Sequence, residues 1–270
     1  MKAHNKTIVV TGGGSGMGRE LVLVLLDKGA KVVAIDINKT SLEETIKLAG
    51  DKKDKITDYV FDITDKSAVE VICKQMIDKL GQIDGVINNA GIIQPFKVVN
   101  ELEFSTIERV FNVNFWGTLY LTKALLPHFL TRPEAHIVNI SSMGGFISFP
   151  MQTIYGATKA AVKILTEGLY AELKDTQVKV TVVHPGAIIT NITQNSGLGG
   201  PKIEGDIPKS AMGLSASKAA KIIIKAMENN KFRVTVGKDA TVLDKLYRFS
   251  PKMATNFIGK MMKKSLNYIK

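Results

Sequence analysis

Short runs rich in β-branched residues alternate with longer segments of helical period from residue 6 to about residue 184, and this rhythm constrains the fold more than any other feature of the chain. Neighbouring parallel strands need a crossover of a dozen or more residues between them, which a helix supplies. The candidate strands are TIVVT (7–11), KVVAID (31–36), DYVFD (58–62), GVINN (85–89), HIVNIS (136–141), KVTVVHP (179–185) and RVTVG (233–237). Between them, GRELVLVLLDKGA, SLEETIKLAG, SAVEVICKQMIDKLG, the stretch from Ser105 to Leu130 and TIYGATKAAVKILTEGLYAELK carry helical spacing. The pattern predicts an α/β protein: a doubly wound parallel sheet of seven strands with helices on both faces. Two segments break the rhythm. Ala187 to Ser210 has little periodicity and reads as a long loop, and the last thirty residues form a basic tail.

At 270 residues with 45% apolar content, the chain can bury a sizeable core. Its N-terminus has no signal-peptide core, and no stretch approaches the roughly 18 to 20 apolar residues that cross a bilayer. Cys73 is the single cysteine, which excludes a disulfide within one chain. These features predict a cytoplasmic protein. The net charge of +11 is concentrated at the C-terminus, where Lys245, Arg248, Lys252, Lys260, Lys263, Lys264 and Lys270 face one acid, Asp244, from Thr241 onward. No recognisable nucleic-acid motif accompanies the charge, so no nucleic-acid partner is expected. His4, His128, His136 and His184 stand singly without metal-ligand spacing, and no metal is expected.

Thr11 to Gly18 reads TGGGSGMG between the first strand and the first helix. Gly12 permits a sharp turn, Gly16 lets backbone approach a pyrophosphate, and Gly18 lets helix and strand pack closely. The helix N-terminus then presents free N–H groups to phosphate. Asp36 ends the second strand about 20 residues beyond the loop, where a carboxylate accepts hydrogen bonds from an adenosine ribose and repels a 2′-phosphate. A Rossmann fold with NAD(H) favoured over NADP(H) follows, with Arg19 and Lys39 as nearby cations that soften the preference.

Tyr155 and Lys159 are four residues apart in a helical segment and so share a face. A neighbouring ammonium stabilises phenolate, which is expected to bring the tyrosine toward its working range as a general acid or base.

Taken together, TGGGSGMG, NNAG at 88–91, Asn114 in FNVNFWG, Ser142 in NISSMGG, Tyr155-x-x-x-Lys159 and PGAIIT at 185–190 resemble the short-chain dehydrogenase/reductase family. The resemblance covers nearly everything before the tail. It implies an NAD(P)-dependent oxidoreductase that interconverts a hydroxyl and a carbonyl group by hydride transfer. It assigns proton exchange to Tyr155, phenol activation and ribose contact to Lys159, stabilisation of the reacting oxygen to Ser142 and a proton relay to Asn114. Cofactor contacts implied are Gly12, Gly14, Ser15, Gly16, Met17, Gly18, Asp36, Asp62, Ile63, Asn89, Ala90, Gly91, Tyr155, Lys159, Pro185, Gly186, Ile188 and Thr190, with Asn88 steadying the central strands. A non-catalytic dinucleotide-binding protein is the alternative; such a protein would commonly lack Tyr155 or Lys159, and this chain has both. The family's usual assembly implies a homodimer or homotetramer.

Residues near the reacting centre are mostly apolar, among them Ile93, Pro95, Phe96, Met143, Phe149, Ile188 and Ile189, which predicts an apolar alcohol or carbonyl substrate. Gln94 and Gln152 are the polar exceptions and, with Ser142, Met143 and Tyr155, are candidate substrate contacts. Trp116 and the phenylalanines around it are expected to pack in the core or between helices. Residues 1–240 are assigned to one dinucleotide-binding and catalytic domain, and 241–270 to a basic amphipathic helical extension with a break at Pro251. Its interleaved apolar and basic residues suit peripheral contact with a membrane surface, and equally a cover over the chain's own pocket or a partner subunit.

Overall fold

The computed structural model describes residues 1–198 and 213–266. The chain runs β1 (Thr7–Thr11), α1 (Gly16–Asp27), β2 (Lys31–Asp36), α2 (Lys39–Leu48), β3 (Ile56–Val60), α3 (Lys66–Leu80), β4 (Gly85–Asn88), α4 (Phe104–Phe111), α5 (Gly117–Thr131), β5 (Ala135–Ile140), α6 (Thr153–Glu172) and β6 (Val178–Pro185). It continues through β7 (Ile188–Ile189), α7 (Ile192–Asn195), β8 (Leu214–Ser215), α8 (Ala216–Glu228), β9 (Arg233–Val236), α9 (Lys238–Phe249) and α10 (Pro251–Leu266).

Seven strands form one sheet in the order β3-β2-β1-β4-β5-β6-β9, with every neighbouring pair parallel. Side chains alternate across it: Ile8 and Val10 enter a core with Leu21, Leu25 and Ile223, while Val9 enters a second core with Met76, Leu121 and Phe129. Because both faces are covered at the centre of the sheet, β1, β4 and β5 are buried at every position, whereas the edge strand β3 is not. Local signals set the helix ends. Asn38 and Asp65 cap α2 and α3 by accepting from Ser41 N and Ala68 N, and α3 stops at Gly81 in the left-handed region. Strand order reverses between β1 and β4, so their carboxyl ends open a crevice, the usual ligand position in such sheets.

Four local features differ from the expected pattern. The third strand lies two residues earlier, at Ile56–Val60, because its register against Val32 to Asp36 decides its ends. The stretch from Ser105 to Leu130 is two helices joined by a π turn over Asn112–Trp116. That wider turn changes the helical phase: Asn114 is buried, while Trp116 lies on the exposed side, stacked on Tyr120, instead of in the core. Finally, the expected loop after β6 contains a two-residue strand paired with Leu214 and Ser215 and the short helix α7, elements too brief to leave a periodic signal. Residues 199–210 of that loop lie outside the described residues.

The tail forms α9 and α10, with Pro251 opening α10, where its missing N–H has no helical partner to lose. Residue 240 falls inside α9. Ala254 and Ile258 of α10 are fully buried with Ile147 and Leu243 in a third apolar cluster, flanked by Met143, Phe149 and Met262. Among the described residues no helix is long and apolar enough to cross a membrane.

Candidate active site

Tyr155 and Lys159 lie in the first two turns of α6, and Ser142 follows β5 directly. Ser142 Oγ accepts from Gly144 N at 3.0 Å, capping a short 3-10 turn, and its hydroxyl acts on the Tyr155 phenol in the direction of a lower pKa. Lys159, only 4% exposed, donates to the carbonyl of Ile140 at 3.0 Å and lies 5.9 Å from the centre of the Tyr155 ring. Burial lowers its pKa from 10.5 to about 8. Burial also raises Tyr155, against the opposing effect of Ser142. The expected lowering of the phenol by its neighbouring ammonium is therefore not seen: desolvation of the hydroxyl is the larger effect, and the ammonium lies over the ring.

Asn114, fully buried in the π turn, braces this cluster. Its Oδ1 accepts from Ile92 N at 2.8 Å, and its Nδ2 donates to Ile92 O and to Thr158 Oγ1. Gly91 passes between the two functional groups, since a Cβ there would lie 3.1 Å from Lys159 Nζ and 3.2 Å from Asn114 Oδ1.

The two glutamines separate. Gln94 is fully buried beneath α6, where its Oε1 accepts from Ile154 N and Tyr155 N and its Nε2 donates to Lys97 O. It does not line the cleft, so its candidacy as a substrate contact is withdrawn; the first backbone N–H groups of a helix need acceptors, and this amide supplies one. Gln152 does line the cleft. Its Nε2 donates to Gln94 O at 2.9 Å, which orients a buried Oε1 that has no partner.

At the other end, the TGGGSGMG loop turns into α1. Gly16 has φ +51°, and a Cβ on Gly18 would stand 1.9 Å from the carbonyl oxygen of Gly12, so only glycine fits there. Ser15 makes no side-chain cap, which leaves the first N–H groups of α1 facing the cleft. Asp36 Oδ2 accepts from Gly14 N at 2.9 Å and Oδ1 from Asn38 N at 3.0 Å. Arg19 does not face this carboxylate as a free cation: it donates to Gly14 O, Ser41 O and Thr45 Oγ1 and pairs with Glu44. Asp62 Oδ1 caps Thr64 N, and Ile63 is buried against Gly117. Asn88 donates to Asn139 and Thr122 and so ties β4 to β5 and α5.

These groups line one cleft of about 1060 Å³ that runs from Gly12, Ser15, Gly16 and Asp36, past Asn89, Gly91, Pro185, Gly186 and Thr190, to Ser142, Tyr155 and Lys159. Ile93, Phe96, Met143, Phe149 and Met262 also line it.

A family model described as short chain dehydrogenase matches residues 6–199. The chain belongs to this family. SadH of Mycobacterium tuberculosis is 36% identical over 251 residues, covering 91% of each chain. A short-chain dehydrogenase/reductase from Burkholderia phymatum, solved in complex with NAD, superposes with a TM-score of 0.84 over 94% of this chain and 96% of that one; at 24% identity it speaks for the fold. ElxO, solved with NADP bound, is 28% identical with a TM-score of 0.76, covering 86% of this chain and 97% of its own.

Several residues that hold this short-chain dehydrogenase's cleft together carry no legible sequence signal. Thr11 Oγ1 accepts from Asn89 N and Ala90 N, and Thr11 O accepts from Asn89 Nδ2, joining the ends of β1 and β4. Asn195 donates to Ser15 Oγ at 2.7 Å and ties α7 to the glycine loop. Asp239 accepts from Ala187 N, and a Cβ on Gly186 would collide with that carboxylate. Each is a lone polar residue whose partner is distant in sequence. Only the pair has meaning.

Proposed function

We propose that this short-chain dehydrogenase interconverts a hydroxyl and a carbonyl group on an apolar substrate, with NAD(H) preferred over NADP(H). The reading is carried by one observation: Ser142 and Lys159, both buried, and the half-buried Tyr155 stand together on the wall of a cleft whose far end is a glycine cradle and a helix N-terminus. The cradle fits a dinucleotide, because Gly12, Gly16 and Gly18 line the cleft with backbone in place of side chains and the first turn of α1 offers uncapped N–H groups. Gly12, Gly14, Ser15, Met17 and Asn89 to Gly91 would hold its phosphates and adenosine half, with Asp36 on the ribose and Asp62 and Ile63 beside the adenine. Pro185, Gly186, Ile188 and Thr190 would hold the nicotinamide. The chemistry supplied by that group is hydride exchange.

Tyr155 exchanges a proton with the substrate oxygen through its hydroxyl. Ser142, whose hydroxyl favours the ionised form of that phenol, steadies charge on the same oxygen. Lys159, held near the middle of its titration at mildly alkaline pH, keeps a positive charge close to the phenol and would hold the ribose of the nicotinamide half. Asn114 keeps Ile92 and Thr158 in register around it and completes the proton relay.

Solved relatives include complexes with either cofactor, so the NAD preference rests on Asp36 and on Arg19, whose guanidinium is committed to the loop and to Glu44. The apolar substrate follows from Ile93, Phe96, Met143, Phe149 and Met262, with Gln152 Oε1 as an acceptor for one donor group on it. Exposed Phe104, Trp116 and Ile164 on the helices around α5 and α6 favour self-association into a dimer or tetramer.

Hydroxy and oxo compounds of increasing chain length, incubated with NAD(H) and NADP(H) and read at the reduced-nicotinamide absorbance, test the proposal. Tyr155→Phe is expected to abolish turnover and leave NADH binding in place. Undiminished turnover in that variant overturns the reading.

A further inference from the structure

The tail has two faces. The inner one belongs to the body of the protein: Ala254 and Ile258 are fully buried, and Met262 reaches the wall of the cleft beside Met143 and Phe149. The outer one is apolar and positively charged. Phe249 is 83% exposed at the end of α9, and Met253 and Phe257, one turn apart on α10, are 44% and 52% exposed. Around them stand Lys245, Lys252, Lys260 and Lys263, none of which makes an ion pair among the described residues. No acidic residue occurs after Asp244.

Large apolar side chains left in water on a surface of one charge sign mark an interaction site. We propose that this face docks on an anionic lipid bilayer, with Phe249, Met253 and Phe257 entering the headgroup boundary and the lysines meeting lipid phosphates. The covering and membrane uses of the tail are thus not alternatives: opposite faces of one helix serve them. Docking in this orientation sets the apolar end of the cleft, at Met262, within one helix diameter of the bilayer (about 10 Å), so an apolar substrate dissolved in lipid reaches the site without crossing much water. That last step rests on the function proposed above; the docking itself does not.

Charge and apolarity together select this occupant. A second copy of the chain would bring the same positive face and repel it. A nucleic acid would satisfy the lysines but leave Met253 and Phe257 in water.

The test is co-sedimentation of the full-length protein with phosphatidylcholine vesicles, with and without phosphatidylglycerol. Binding is expected only with phosphatidylglycerol and is expected to weaken as salt rises. K252Q/K260Q should lower the partition by about 30-fold, given the usual worth of basic residues at an anionic surface. F249S/F257S should lower it by about tenfold or more. Both variants touch neither the cofactor groove nor the reacting residues, and unchanged NADH binding reports that they fold. Y155F should bind vesicles like the parent protein, so a failure of docking is distinguishable from a failure of the proposed chemistry. Recovery of the parent protein in the soluble fraction with either vesicle overturns the proposal. So does vesicle binding that both surface variants leave unchanged, or a phosphatidylglycerol-independent dimer that buries the face.

Discussion

Gln94 Oε1 accepts the backbone N–H of Tyr155 at 3.0 Å, together with that of Ile154 at 2.7 Å, and so fixes the start of α6 from a loop sixty residues upstream. The bond acts on the main chain under the reacting side chain. Gln94→Leu leaves two part-buried N–H groups without their acceptor and is expected to cost about 1–3 kcal/mol of stability in urea denaturation. Turnover should fall with it, while Gln94→Glu, which keeps the acceptor and suits a helix N-terminus, should retain most of both. Equal loss in the two variants would show that the acceptor is not what matters.

Lys159 gives the protein an alkaline signature. Burial sets its folded pKa at about 8 against an ordinary 10.5, so between these values the unfolded chain holds more protons and stability rises with pH. Relative to Lys159→Met, the parent protein should gain up to about 3 kcal/mol across that window. The variant should be inactive throughout. A stability difference that is the same at neutral and alkaline pH would contradict the buried ammonium.

Acid acts through two histidines. Burial holds His136 at about 3 and His184 at about 4, so both are neutral in the folded protein while the unfolded chain protonates them below its ordinary value of 6.5. Stability present above 6.5 is therefore lost as pH falls toward 4, by up to about 3 kcal/mol for each group. His136→Gln should flatten the acid limb of the denaturation midpoint against pH; an unaltered limb would assign the loss elsewhere.

Gly18 tolerates no side chain. A methyl group would meet Gly12 O at 1.9 Å, so Gly18→Ala must push α1 away from the loop. The expected cost is about 1–3 kcal/mol of stability, with weakened NADH binding seen in fluorescence titration.

Cofactor choice hinges on charge beside the ribose. Asp36→Ser with Ile37→Arg removes a carboxylate and adds a guanidinium at an exposed position. The ratio of kcat/KM for NADP(H) over NAD(H) should rise by about 10- to 100-fold, the range of one charge-assisted hydrogen bond. A ratio that does not move would mean that Arg19 or Lys39 governs the choice.

The sequence by itself determined the sheet, the glycine loop, Asp36 and the pairing of Tyr155 with Lys159, because each rests on local spacing: period in a strand or helix, a turn that admits only glycine, two residues on one helical face. Ser142 was reached only through the family resemblance. Tertiary structure decided what depends on partners distant along the chain. Only packing could show that Gln94 serves a helix end while Gln152 faces the cleft, that Arg19 is spent on Gly14 and Glu44, and that the π turn puts Asn114 inside and Trp116 outside. The balance at Tyr155 was likewise hidden, since i,i+4 spacing reports nearness to a cation but not how deeply the phenol is desolvated. The tail follows the same rule: its composition marks it as amphipathic, and the buried Ala254 and Ile258 decide which face remains outside.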